Sequence, residues 1–422
     1  MKKITLILIC FFSYNLIAQH YLPIQHDTLV AFSIERIINN TKIKKNKQNE
    51  LIITGIADYS GTSLGKDIAQ KFFYGGEISD SMKQKSLNRH KAINRFGSDT
   101  QAELEYRNYK VNLFKNENWG FVVKTGMYNF LQAIYSKDFF TFPMYGNTYF
   151  EGDTAKFSGS QFSNITYQKV GFGWLDKKSK SAICLNLFGL NNASNLSLYD
   201  AEIFQNTGFD SLSFNYNGRA SFSNNPNYLK GIGLGIDADI RWHSINLKGK
   251  PHFQFLMRNI GFITQTANFT QYTADTSFSF NGFSYDQIAN GTSFQSENFA
   301  FLDTLGIKKS ESKTTFMLPG IIQVSKLIDQ SEGAKTKKLQ EFYGARLYFS
   351  SMSIPMIFGG LDYNPFNGFV HFGASVSYGG YSRLKAGCYS SMQWKNISIG
   401  ISSENLFNPT GQSIIFRLQC VF

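Results

Sequence analysis

Strict alternation of apolar and polar residues, sustained longer than a soluble strand requires, is the dominant pattern along this chain. From Gly231 to His243, Ile232, Leu234, Ile236, Ala238, Ile240 and Trp242 fall on one face. Gly231, Gly233, Gly235, Asp237, Asp239, Arg241 and His243 fall on the other. A strand embedded in lipid needs about ten such residues, apolar side chains to lipid and polar ones to the lumen of a closed sheet. Val370, Phe372, Ala374, Val376 and Tyr378 repeat the pattern against His371, Gly373, Ser375 and Ser377. So do Leu384, Ala386 and Cys388 against Arg383, Lys385 and Gly387, and Ile397, Ile399 and Ile401 against Ser398, Gly400 and Ser402. The fold class predicted is all-β, a closed antiparallel up-and-down transmembrane β-barrel.

Counting back from Phe422 gives about fourteen strands, at 49–58, 101–113, 119–129, 161–175, 181–190, 231–244, 252–263, 315–326, 341–350, 353–363, 369–378, 381–391, 396–404 and 412–422. The even number fits a bacterial barrel. Tyr109, Val111 and Leu113 are expected to pair with Trp119, Phe121 and Val123, and a phase slip after Tyr106 predicts a bulge near Arg107. Short turns fall at 115–118, 176–180, 247–251, 364–368 and 392–395. Long segments fall at 59–100, 130–160, 191–230 and 264–314. With both termini on the periplasmic side, every one of those short turns is periplasmic and every long segment extracellular, as such barrels are built. The polar stretch 327–339 departs from this as a long periplasmic turn. A hairpin missed inside 264–314 would give sixteen strands with the parity intact. A helix is expected at about 79–94, in a segment carrying Lys83, Lys85, Arg89, His90, Lys91 and Arg95. It reads equally as a plug inside the barrel, an outer element against lipid phosphates, or a solvated basic loop.

The N-terminus changes the picture by placing the chain. Lys2 and Lys3 precede an apolar core from Ile4 to Phe12, and Leu16-Ile17-Ala18 leads to Gln19, a secretory signal pattern. Ile9 before Cys10 is too bulky for a typical lipid-attachment site. The expected divisions are a signal peptide at 1–18, a periplasmic or plug segment at 19–48, and an outer-membrane barrel at 49–422. Loss of Lys2 and Lys3 would take the formal charge from +12 to +10. Export argues against a nucleic-acid partner despite that charge. The expected partners are outer-membrane lipids and, during biogenesis, the barrel assembly machinery; no protein partner can be read. Phe 41, Tyr 22 and Gly 36 against Pro 8 suit long strands. No stretch after the leader has 18 consecutive apolar residues, which excludes a helical membrane protein. The cysteines left after the leader, Cys184, Cys388 and Cys420, are widely spaced in strand-like runs and read as small apolar filler.

The last strand reads SIIFRLQCVF, with Ile414, Phe416, Leu418, Cys420 and Phe422 on one face. Phe416, Leu418 and the terminal Phe422 resemble the targeting signal read by the barrel assembly machinery. The segments FFYGGEISDSMKQKSLNRHKAINRFGSD (72–99), MYGNTYFEGDTAKFSG (144–159) and FQFLMRNIGFI (253–263) carry a wider likeness. Through them most of the chain resembles a family of Bacteroidota outer-membrane barrel proteins with a domain of unknown function. That family looks distantly similar to the fourteen-stranded long-chain fatty-acid transporters and to the shuttle barrels of type IX secretion. The resemblance implies fold and location and transfers no active residues.

Candidate chemistry is sparse. GIGLGIDAD (231–239) lacks the strand–turn–helix context of a phosphate loop, because alternation continues to Trp242. Asp239, His371 and Ser375 could be imagined as a hydrolytic triad, but residues 371 and 375 stand ~13 Å apart along one strand. No metal-ligand spacing or cofactor motif appears. The predicted lumen carries Lys110, Lys124, Arg241, His243, Arg258, Arg346, His371, Arg383, Lys385 and Arg417 against Glu103, Glu105, Asp237 and Asp239. This reads either as a vestibule favouring anions or as a salt-bridged network packing the lumen. The expected function is a non-enzymatic pore or transporter for a small hydrophobic molecule. A binding or assembly barrel, accessory to secretion or surface attachment, is the alternative.

Overall fold

The computed structural model describes residues 21–24, 32–35, 49–223, 228–243, 252–266, 269–280, 306–328, 338–365, 370–394 and 397–422. The expected leader, and turn 247–251, lie outside them. A short hairpin, β1 (Tyr21–Ile24) with β2 (Phe32–Glu35), lies against the last three strands of the sheet. The other strands are β3 (Asn49–Gly61), β4 (Ile93–Asn108), β5 (Trp119–Ser136), β6 (Thr154–Lys156), β7 (Gln161–Asp176), β8 (Ala182–Gln205), β9 (Leu212–Phe222), β10 (Gly231–His243) and β11 (His252–Gln265). There follow β12 (Phe269–Phe280), β13 (Ile307–Ser312), β14 (Thr315–Met317), β15 (Ile321–Lys326), β16 (Leu339–Tyr348), β17 (Ile354–Tyr363), β18 (Val370–Gly380), β19 (Leu384–Trp394), β20 (Ile397–Ser403) and β21 (Gly411–Val421).

Fourteen of these close a barrel: β3, β4, β5, β7, β8, β10, β11, the interrupted β14–β15, and β16 to β21. Each pairs antiparallel with the next, and β21 pairs with β3 from Gly411↔Ser60 to Val421↔Glu50. Phe422 completes the seam, its N–H donating to the Asn49 carbonyl and its carbonyl accepting from the Asn49 N–H, both at 3.0 Å. Closure leaves no open edge, which a sheet in lipid requires. Outward residues are apolar and exposed, including Met127, Val170, Phe172, Leu185, Leu187, Ile357, Val376 and Phe416. Their inward neighbours are buried, many of them polar, as Lys169, Asn186, Ser375 and Arg417 are, with apolar clusters such as Met356 and Phe358 between them. A lipid-facing apolar exterior around a partly polar interior is the signature of a membrane-spanning barrel.

Several boundaries correct the sequence expectation. The second barrel strand runs over Ile93–Asn108, not 101–113. It ends because the Asn108 side chain accepts from the N–H groups of Lys110 and Val111, folding the chain into a turn. Tyr109, Val111 and Leu113 therefore make no ladder with Trp119–Val123, and the apparent slip near Arg107 is a strand end rather than a bulge. A register shift does occur in β11, where Arg258 and Asn259 together oppose Asp237, with Asn259 at φ 54°.

The long segments 191–230 and 264–314 contain strands. β8 runs 24 residues, and beyond Leu190 it leaves β10 and pairs with β9, which pairs with β12 and through it with β13. These strands raise a four-stranded extension above the rim, about 36 Å long for the eleven residues of β9. The hairpin β12–β13 is thus real, but it adds to the extension and leaves the barrel at fourteen strands.

The helical element also differs. The helix expected at about 79–94 is present as α2 (Asp80–Leu87), shorter than expected, and two further helices accompany it, α1 (Lys66–Tyr74) before it and α3 (Lys137–Tyr145) after β5. They do not plug the barrel. They pack on Tyr59, Phe96, Ala133, Tyr135 and Phe162, and the alternation places these on the outer face, in phase with exposed Ile53, Leu104 and Met127. The helices form a collar outside the wall.

Candidate functional site

Inside the barrel, the inward side chains of the described strands meet across the lumen and bury one another. Lys169 is the hub. Its ammonium lies 2.8 Å from Asp237 Oδ2, 2.9 Å from Glu103 Oε2 and 3.0 Å from Asn259 Oδ1, and 4.9 Å above the Tyr128 ring. Gly126 stands between Glu103 and Lys169 in the cross-strand row, so the two long side chains meet over a position with no side chain. Asp237 also accepts from Asn186 Nδ2 and from the bulged Asn259 N–H, both at 2.8 Å. The bulge aims a backbone donor at a buried carboxylate. Glu103 is held further by Arg258 at 3.3 Å and by the Tyr128 hydroxyl. Lys124 reaches Glu105 at 3.4 Å and Asp237 at 3.7 Å, and Arg107 pairs with Glu105. Arg241 grips Asp239 at 2.6 Å, while Gln254 donates to Asp239 at 2.7 Å.

Two smaller groups continue the network. Lys385 and Arg346 share Glu404, at 2.7 and 3.7 Å. His371 Nδ1 lies 2.8 Å from Asp362 Oδ2, and the Tyr389 hydroxyl donates to Asp362 Oδ1 at 2.5 Å. Tyr389 reaches that far because Gly373 lies beneath it; a Cβ there would stand 1.8 Å from the ring. The carboxylate facing His371 is therefore Asp362, not Asp239, which is bound to Arg241. Among the described residues no hydroxyl bonds His371 Nε2.

The predicted lumen residues sort as follows. Asp237, Asp239, Arg241, Arg258, Arg346, His371, Lys385 and Arg417 are buried on inward faces. The side chain of His243 lies outside the described residues. Arg383 and Lys110 correct the expectation: both are exposed, because β19 begins at Leu384 and β4 ends at Asn108, leaving each in a turn. Phe416 and Phe422 are exposed on the lipid face, with Leu418 half-buried between them. Sequence reading missed Lys169, Arg107, Asp362 and Glu404. Lys169 shares the parity of Gly171 and Gly173 and was within reach of the same alternation argument.

The second feature lies on the opposite side of the wall. Phe96, Ala133, Phe162 and Leu196 stand in one cross-strand row over β4, β5, β7 and β8, all outward. Leu64 and Phe72 from around α1, and Phe139, Phe140, Pro143 and Met144 of α3, roof this row. Between floor and roof is a cavity of about 250 Å³ lined almost wholly by carbon. Local chemistry fixes the roof. Ser136 caps α3 by accepting from the Phe139 N–H at 3.1 Å, and Gly146 at φ 78° ends it. His90 ties the collar to the wall, through Nδ1 to the Ser86 carbonyl at 2.7 Å and Nε2 to the Tyr135 hydroxyl at 3.2 Å. Its ring stacks on Phe140 with centroids 4.1 Å apart. Burial, reinforced by Lys137, lowers the His90 pKa to about 4, so the ring is neutral at pH 7.

No protein-family model matches the chain, and no match was found among the curated proteins. Solved structures that overlap it include the Ralstonia pickettii toluene transporter TbuX, 8% identical, TM-score 0.40, over 96% of this chain and 99% of that one. A Pseudomonas aeruginosa FadL homologue is 9% identical, TM-score 0.37, over 89% and 90%. The translocator domain of the autotransporter NalP from Neisseria meningitidis is 10% identical, TM-score 0.31, over 90% and 91%. Likenesses this distant assign neither family nor cargo.

Proposed function

We propose that this protein is a non-enzymatic outer-membrane barrel that takes up a small hydrophobic molecule, with the cavity under the collar as its capture site. The cavity carries the reading. An apolar cavity of roughly 150 Å³ holds a benzene ring, and one of about 250 Å³ has room for a substituted ring or a short alkyl chain. Binding there is driven by removal of apolar surface from water and is selective against charge, because a carbon lining offers an ion no partner. The ion-paired lumen supports the same preference, since Arg107, Lys124, Lys169, Arg241, Arg258, Arg346 and Lys385 are already held by carboxylates and offer little to a passing anion. The outer-membrane location rests on the closed barrel with its apolar exterior, the strand architecture of that membrane.

Transfer of a neutral aromatic dye into proteoliposomes containing a trapped acceptor tests the reading. The wild-type protein should raise the transfer rate above that of empty vesicles. Ala133→Trp, which fills the cavity from its floor, should return the rate to near the empty-vesicle value. Transfer that survives Ala133→Trp undiminished would place capture elsewhere.

A further inference from the structure

The collar begins where the apolar belt ends. On β5 the outward residues from Phe121 to Leu131 are exposed or half-buried, while Ala133 and Tyr135, the next two in phase, are covered by the helices. Ten residues of strand span about 33 Å, or about 25 Å of height once the strand tilts, which is the thickness of a lipid-facing apolar band. The collar is therefore level with the headgroups, and it lies outside the wall, where lipid surrounds it. Residues 62–92 carry six Lys or Arg and three Asp or Glu, a net +3. Lys71, Lys83 and Arg89 turn toward their own segment: Lys83 pairs with Asp80 at 3.2 Å, and Lys71 and Arg89 approach Gly76 and Gly65. Lys66, Lys85 and Lys91 are exposed and have no carboxylate within ion-pair distance among the described residues. On the same collar Phe72 and Tyr74 are 61% and 88% exposed, large aromatic surfaces of the kind that settle at a membrane interface.

From this juxtaposition we infer that the collar is a docking surface for anionic lipid headgroups of the leaflet around it, with Lys66, Lys85 and Lys91 meeting the phosphates and Phe72 and Tyr74 seated among the upper acyl carbons. Charge complementarity selects the lipid, because a zwitterionic headgroup offers each lysine a phosphate already balanced by its own amine. This docking holds whether or not the cavity takes a ligand.

Native mass spectrometry of the protein released from nanodiscs of equal phosphatidylethanolamine and phosphatidylglycerol reads the preference directly. Wild-type protein should retain phosphatidylglycerol selectively, and the preference should fall roughly fivefold for each lysine removed in the series K66Q, K66Q/K85Q, K66Q/K85Q/K91Q. Raising the salt from ~50 mM to ~500 mM should weaken it in the wild type, a readout that needs no variant. Equal retention of the two lipids by the wild type, or a triple variant as selective as the wild type, would overturn the inference. So would displacement of the lipid by inorganic phosphate at matched ionic strength, which would mark a free-anion site instead.

Discussion

Replacing Lys169 with methionine is expected to destabilise the folded barrel by about 3–5 kcal/mol, the range for breaking a buried ion pair by removing one partner. Methionine keeps much of the volume but leaves Asp237 and Glu103 without the ammonium that lies 2.8 and 2.9 Å from them. The lower end of the range is the expected value, because Asp237 keeps Asn186, the Asn259 N–H and Lys124, and Glu103 keeps Arg258 and Tyr128. Adding Asp237→Asn removes the charge of one of the two carboxylates that lost the ammonium and should recover part of the loss, so the two changes are non-additive. Guanidinium unfolding of the protein in liposomes measures both. A loss below about 1 kcal/mol would mean that the lumen admits enough water to solvate the carboxylates, and the buried, ion-paired interior would have to be abandoned.

Phe140→Ala should produce an effect of similar size confined to the collar. Phe140 is buried among Tyr59, Leu64, Ile68, Leu87 and Tyr135 and supports the His90 ring from below. Truncating a buried phenylalanine costs about 3–5 kcal/mol. The barrel strands close without it, so the loss falls on docking of the helices to the wall. Hydrogen exchange should show peptides across 66–90 losing protection while β3, β4 and β5 keep theirs. Equal loss in strands and helices would show that the collar is integral to barrel stability and not an outer attachment.

The two features differ in how far the sequence disclosed them. Strand positions were legible because lipid imposes a constraint with a period of two, and Phe372, Val376, Ile399 and Phe416 display it without interruption. The start of β4 was not, because INRFGSDT lies at the rim, where the outward Phe96 faces a helix instead of lipid and the alternation loses its contrast. Helix α1 left a usable sign in the spacing of Ile68, Ala69 and Phe72. Helix α3 did not, since Pro143 and the aromatic run from Phe139 argue against a helix in isolation. The lumen charges could be placed on a face by parity, yet their partners could not. Lys169 meets Glu103 over Gly126 only through the register of three strands, and meets Asp237 only because β11 bulges at Asn259. The cavity was illegible, because its floor and roof come from segments whose meeting depends on the helices folding outside the wall.

Those relations define a division of labour between the two sides of the sheet. The inner side pairs most of its lysines and arginines with carboxylates across the strands, which stiffens the barrel. The outer side, above the lipid belt, is where apolar surface is arranged into a space rather than a packed core. On the proposed reading, a hydrophobic molecule concentrated in the surrounding membrane meets the cavity without first crossing water, and a charged one finds no partner in its carbon lining.

Photolabelling with a small aryl diazirine tests the central claim most directly, because the label reports its own position. In nanodiscs, peptide mapping should find the adduct on the cavity lining, on Phe96, Phe139, Phe140, Met144 or Phe162, and competition by an unlabelled neutral aromatic should suppress it. Ala133→Trp should abolish labelling there while leaving diffuse labelling of lipid-facing residues such as Phe172 and Leu187 unchanged. Adducts spread evenly over the lipid-facing band, or cavity labelling that persists in Ala133→Trp, would contradict the account.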